Sequence, residues 1–104
     1  MAKIKETEKK IDTQIRAFFE GFADKHRMKI LELLLERRMN VSEICTHFSM
    51  KQPSVSHHLA VLKKSGVIET KREGKEIYYS INRKNIAALM TYYLSRFGLE
   101  VKVI

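Results

Sequence analysis

Apolar residues recur along most of the chain with a helical period and switch in one stretch to a period of two. Ile4, Ile11, Ile15, Phe18, Phe19 and Phe22 are spaced by three, four and seven, which predicts an amphipathic helix from about Lys5 to Phe19, with Gly21 ending or bending it. A face so rich in Ile and Phe requires a partner surface. Asp24 is the expected N-cap of the next helix, where Arg27, Ile30, Leu31, Leu34 and Leu35 continue one face. Arg37 and Arg38 follow as cations suited to a helix C-terminus. Asn40 with Glu43 makes a capping-box pattern, and Val41, Ile44, Cys45 and Phe48 form the apolar side of a two-turn helix.

SMKQP separates that helix from another that starts near Gln52, with Pro53 in the first turn, where a missing N–H has no consequence. Val55, Leu59 and Leu62 form its buried stripe. Ser54, Ser56, His57, Lys63 and Lys64 fall on its sides and outer face, and Gly66 closes it in the left-handed conformation. Two short helices with a tight linker are what a helix-turn-helix requires. From Val67 to Ile81 the period is two: Ile77, Tyr79 and Ile81 alternate with Tyr78 and Ser80, and Arg72-Glu73-Gly74-Lys75 supplies the turn of a β-hairpin with a basic tip. Asn82 caps a last helix in which Ile86, Leu89, Met90, Tyr93, Leu94 and Phe97 recur at helical spacing until Gly98. The order is α-α-α-α-β-β-α, a mainly α fold with a β-hairpin wing: a winged helix-turn-helix. No repeat or internal linker divides residues 1–104, so one domain is expected, with residues 5–20 and 82–97 as dimerisation helices and Leu99 to Ile104 as a tail.

Composition narrows the partner. A chain of 104 residues buries only about two-thirds of its extended surface on folding, which again favours a second subunit. Twenty Lys and Arg against twelve Asp and Glu give a formal charge of +8, which points to a polyanion, nucleic acid first and an anionic membrane surface second. No stretch reaches the roughly 20 apolar residues of a membrane span, and MAKIKETEKK is followed by no secretory apolar region, so the cytoplasm is expected. A single cysteine forms no internal disulfide.

In a helix-turn-helix the second helix enters the major groove, and its N-terminal residues reach base edges. Gln52 is placed to pair with adenine, Ser54 and Ser56 to contact phosphate or bases, and His57 to reach a purine acceptor. Lys63, Lys64, Lys71, Arg72 and Lys75 bracket the hairpin. Arg72 and Lys75 are the expected wing contacts because they flank Gly74, although Glu69, Glu73 and Glu76 are interspersed. Lys3, Lys5, Lys9 and Lys10 are matched in part by Glu6 and Glu8 and read as a solvated face. His58 lies beside the buried stripe and reads as a structural, partly buried histidine. Cys45 and His47 are the candidate metal ligands. Cys45 falls on the buried stripe and His47 faces elsewhere, so a small core hydrophobe accounts better for Cys45, and no cofactor is expected.

Three segments in register, FADKHRMKIL (22–31), SVSHHLAVLKKSGVI (54–68) and REGKEIYYSI (72–81), resemble the ArsR/SmtB family of small winged-helix repressors. The resemblance implies a DNA-binding homodimer whose repression is relieved by an effector. Four features depart from the family pattern: Lys25 and His26 stand where proline and threonine are common, and Lys51 where a serine usually caps the recognition helix. The short helix reads SEICTHF with one thiol, against the ELCVC-like motif of metal-responsive members, and NRKNIAALMTYYLSRF holds neither Asp nor His for a second metal site.

The function expected is transcriptional repression by a homodimer on an imperfect palindrome, with an unidentified effector. An activator or architectural DNA-binding protein keeps the same dimer, and a protein-interaction module keeps only the scaffold. No acid–base pair, oriented nucleophile or phosphate-cradling glycine loop stands at interpretable spacing, so no enzyme is expected.

Overall fold

The helical faces at 15/18/22, 30/31/34 and 55/59/62 converge on one core, closed on the far side by Met39, Val67, Ile68 and Ile81. A computed structural model describes residues 6–102. Its elements in chain order are α1 (Glu6–Phe22), α2 (Lys25–Glu36), β1 (Met39–Asn40), α3 (Val41–Cys45), α4 (Gln52–Ser65), β2 (Ile68–Glu73), β3 (Glu76–Ile81) and α5 (Arg83–Ser95). Ile4 and the first two lysines of the basic N-terminus, Lys3 and Lys5, lie outside the described residues, as do Val103 and Ile104 of the tail. Among the described residues no helix is long and apolar enough to cross a membrane.

Local chemistry sets most boundaries where the sequence places them. Asp24 Oδ1 accepts from the amides of His26 at 2.8 Å and Arg27 at 3.1 Å, which starts α2. Asn40 and Glu43 form both bonds of the capping box over α3. At the end of α4, Gly66 has φ +79°, its N–H donates to Lys63 O, and Val67 N donates to Leu62 O. That pair of bonds is a Schellman closure, sealed by the buried Leu62 and Val67 side chains. Asn82 Oδ1 accepts from Asn85 N and starts α5.

Several expectations are corrected. β1 is an additional strand: Met39 pairs with Tyr79 and Asn40 with Tyr78, which makes a three-stranded antiparallel sheet in the order β1-β3-β2. Two residues are too few for a periodicity to register. Arg37 and Arg38 do not occupy the last turn of α2, which ends at Glu36; Arg37 is already extended at φ −166° and ψ 163°. Their guanidinium groups turn instead to Glu43 and Glu73. Leu35 stands off the core face and is exposed. The α5 helix stops at Ser95, so Phe97 lies in the turn beyond it rather than inside the helix.

Gly21 does not end α1. The helix continues to Phe22, and Gly21 is buried where α1 crosses the end of α4. A Cβ there would stand 2.6 Å from Ser65 Oγ, 3.1 Å from Ser65 Cβ and 3.2 Å from Val67 Cγ2. Ser65 cannot yield freely, since its buried hydroxyl donates to Leu62 O at 2.6 Å. Helix propensity alone would make Gly21→Ala stabilising by about 1 kcal/mol, whereas overpacking a tight crossing costs about 1–3 kcal/mol. The crossing prevails, and G21A is expected to lower the urea midpoint; a raised midpoint would show that α1 and α4 separate without penalty.

Candidate nucleic-acid interface

The α4 helix is held by one stripe, and that determines what its other faces do. Val55, Leu59 and Leu62 are fully or almost fully buried. At about 100° per residue, His57 and Lys64 stand opposite them, Gln52, Ser56 and Lys63 fall on one flank, and Ser54 falls on the other. All six are exposed. Lys51, the N-cap just before the helix, has extended backbone and makes no side-chain cap, while Pro53 sits in the first turn. The first-turn amides of α4 therefore lack the side-chain acceptor that a capping serine provides. The six residues do not form one patch. Lys64, near the C-terminal end of the helix, borders a groove lined also by Thr13, Arg16, Ala17 and Glu20 of α1.

A buried cation fixes the helix from behind. Arg27, 7% exposed, donates from Nη2 to Glu20 O at 2.9 Å and from Nη1 to His58 Nδ1 at 3.3 Å. It thereby joins the end of α1, the start of α2 and the middle of α4. Because arginine only donates, His58 Nδ1 must be its unprotonated acceptor, with the proton on Nε2. The ring packs 5.6 Å from His26 and 6.0 Å from His57. His58 is thus the structural histidine that the sequence predicts, and Arg27 is the partner that satisfies it.

Burial lowers the pKa of His58, opposed by Asp24 at 3.9 Å and reinforced by Arg27, His26 and His57. The amides of Arg27 and His26 hold the Asp24 carboxyl below its ordinary range in turn, so that carboxylate is already committed.

The wing carries the second set of cations. Glu73 pairs with Glu76 across a two-residue loop, Gly74-Lys75, in which Gly74 takes φ +63° and no non-glycine residue has positive φ. A glycine with positive φ at the first loop position is the requirement of a II′ hairpin. Arg72 and Lys75 are exposed and, among the described residues, have no acidic partner within ion-pair distance. Lys71 does have one: it lies 3.8 Å from Glu73. Glu73 is also held by Arg38 through two bonds of 2.8 and 2.7 Å, and Arg38 lies 4.3 Å over the Tyr78 ring. Arg38 holds the Glu73 carboxyl below its ordinary pKa. Sequence reading missed this contact because it joins residues 35 apart, and it assigned Arg38 to a helix end. The available signal was the period of two, which puts Lys71, Glu73 and Tyr78 on one face of the sheet.

Cys45 is half-buried against the core while His47 is exposed, so the two do not converge. Among the described residues no group of three or more His, Cys, Asp or Glu is arranged to hold a metal ion.

Residues 24–70, from the cap of α2 to the middle of β2, match the family described as bacterial regulatory protein, arsR family. Over 64 residues the chain is 45% identical to the transcriptional repressor SdpR of Bacillus subtilis, covering 62% of this chain and 71% of that protein. The chain belongs to the ArsR/SmtB family. It is also similar to the transcriptional activator HlyU of Vibrio cholerae, 27% identical over 71 residues that span 68% of this chain and 66% of that one. Among solved structures it resembles the homodimeric winged helix-turn-helix DNA-binding domain of Mb0332 from Mycobacterium bovis. The TM-score is 0.73 and the identity 28%, with 94% of this chain and 91% of that one covered. As a member of this family the chain is a DNA-binding transcriptional regulator without catalytic activity.

A histidine whose folded-state pKa is depressed contributes stability that is fully present above its unfolded value of about 6.5 and is lost as pH falls through the folded value. Urea midpoints of the wild type should therefore fall between about pH 7.5 and 5.5, ahead of the acid loss that follows protonation of Asp24. In H58Q, which keeps an acceptor but does not titrate, that first loss should shrink. Parallel curves for the two proteins would show that His58 does not protonate against Arg27.

Proposed function

We propose that this protein acts as a cytoplasmic homodimeric repressor, a single domain spanning residues 1–104, that occupies an imperfect palindrome and excludes polymerase from the promoter. The observation that carries the reading is the pairing of two free polar surfaces on one domain: the exposed N-terminal half of α4 and the unpaired Arg72 and Lys75 at the wing tip. Gln52, Ser56 and His57 read base edges in the major groove, and Ser54 supports them on the opposite flank. Lys63 and Lys64 lie about 9–11 Å beyond His57 along α4, at 1.5 Å per residue, and serve phosphates rather than the same bases. Arg72 and Lys75 grip phosphates beside the adjacent minor groove.

The dimer surface is α1 with α5. No residue of α5 is buried, although Tyr93 packs edge-on against Phe19 at 4.9 Å and Phe97 at 5.2 Å. Phe97 is 64% exposed, and Phe19, Leu99 and Val101 are exposed beside it or in the tail. So much apolar surface on a small domain marks an interface. The similarity to a homodimeric domain supports the same assembly here. Two copies then place their α4 helices about 34–36 Å apart, or a multiple of that, along the duplex.

An activator is the second reading, favoured by the similarity to HlyU. Expression of the neighbouring promoter rises on gene deletion for a repressor and falls for an activator. DNA contact itself is tested by salt titration of binding to a promoter duplex, with stoichiometry read by sedimentation. R72A/K75A should weaken binding to all sequences alike and lower the slope of log K against log salt by about 1.8, since each lost phosphate contact removes about 0.9. Two chains should bind per site. An unchanged slope would remove the wing from the interface, and a slope near zero for the wild type would favour a protein-interaction module.

A further inference from the structure

The outer half of the wing has little to hold it in place. Ile68 is the one buried residue of β2 and Ile81 the one buried residue of β3, both at the base of the hairpin. The β1 ladder supports β3 at Tyr79 and Tyr78 and goes no further. Beyond that point the hairpin extends as exposed backbone with Glu73 directly opposite Glu76, a like-charge pair that is itself unfavourable. One side chain reaches across this gap. Arg38 leaves the turn after α2, covers the Tyr78 ring and takes both oxygens of Glu73 at the very end of β2. Among the described residues no other hydrogen bond or ion pair joins the wing beyond Tyr78 to the helical body.

We propose that Arg38 and Glu73 form a positioning clamp that sets the angle of the wing against α4 and keeps the Glu73 carboxylate away from the DNA backbone. Neither residue touches DNA. With the clamp closed, Glu73 is neutralised by Arg38 and Lys71, and Arg72 and Lys75 face the duplex without a competing acid. With Arg38 removed, the tip is free to swing, and Glu73 pairs with the cations that the phosphates need. A planar fork on a carboxylate, stacked on an aromatic face, is a geometry that lysine does not reproduce. The inference rests on the reading that the wing contacts DNA, but the clamp also has a signature in the free protein.

Two measurements test it with the full chain. Hydrogen exchange of the free protein should be faster at the wing amides of Lys71 to Ile77 in R38A and R38K than in the wild type, with α4 unchanged. Equal exchange would overturn the clamp whether or not the wing binds DNA. In a double-mutant cycle on a promoter duplex, R38A should weaken binding about five-fold in the wild-type background and less than two-fold in the E73A background. In the E73A background, where Glu73 no longer competes for Arg72 and Lys75, R38A should also leave the salt slope unchanged, because Arg38 itself makes no phosphate contact. The same loss in both backgrounds, or a slope lower by about one in the E73A background, would make Arg38 a direct phosphate contact and overturn the positioning role. If the wild type ignores duplex altogether while the wing amides respond to R38A, the DNA reading fails and the clamp stands.

Discussion

The one-sided burial of α4 is the constraint on which the rest of the structure depends. Val55, Leu59 and Leu62 give the helix a single stripe to bury, and the core formed by α1, α2, α3 and the base of the wing receives it. Burying three such side chains is worth on the order of 5 kcal/mol, enough to fix the rotation of a helix whose remaining surface is polar. Arg27 then locks that rotation from behind through His58. The outward direction of Gln52, Ser56 and His57 is a consequence of what is buried, not a separate feature.

The same logic extends to the ends of the helix and to the wing. Gly66 lets the chain reverse into β2, and Asn85 donates to the Gly66 carbonyl at 2.8 Å, so the end of the recognition helix, the start of the wing and the start of α5 share one junction. A change at the α1/α5 surface therefore has a short covalent and hydrogen-bonded route to α4. The wing has no comparable core, and its orientation relies on a small strand and on charged side chains. The candidate interface is thus apolar and buried at its root and ionic and exposed at its tip.

Much of this was legible in the sequence because it is local. Capping at Asp24 and Asn40, the 55/59/62 stripe, the closure at Gly66 and the Gly74 turn each rest on residues within one or two turns of one another. The errors arose where distant segments decide. Gly21 looks like a helix stop until α4 is seen to cross it, and Arg38 looks like a helix-end cation until Glu73 is brought beside it by the sheet. The two-residue strand β1, which brings them together, is too short to leave a period. At the candidate interface, exposure of Gln52, Ser54, Ser56, His57, Lys63, Lys64, Arg72 and Lys75 follows the sequence pattern. The division between Lys64, which borders the groove beside α1, and the residues at the head of α4 required the fold.

The central claim is that the exposed head of α4, Gln52 to His57, reads base sequence in two symmetric copies. Selection of binding sites from randomised duplexes, carried out with the wild type and with Q52A, tests it most directly. The wild type should recover two half-sites related by a dyad, with centres separated by about 10–10.5 base pairs or a multiple. Q52A should lose preference at one position in each half and keep the spacing. Recovery of an identical consensus by both proteins would place sequence reading somewhere other than the head of α4, and recovery of no consensus by the wild type would contradict the account at its base.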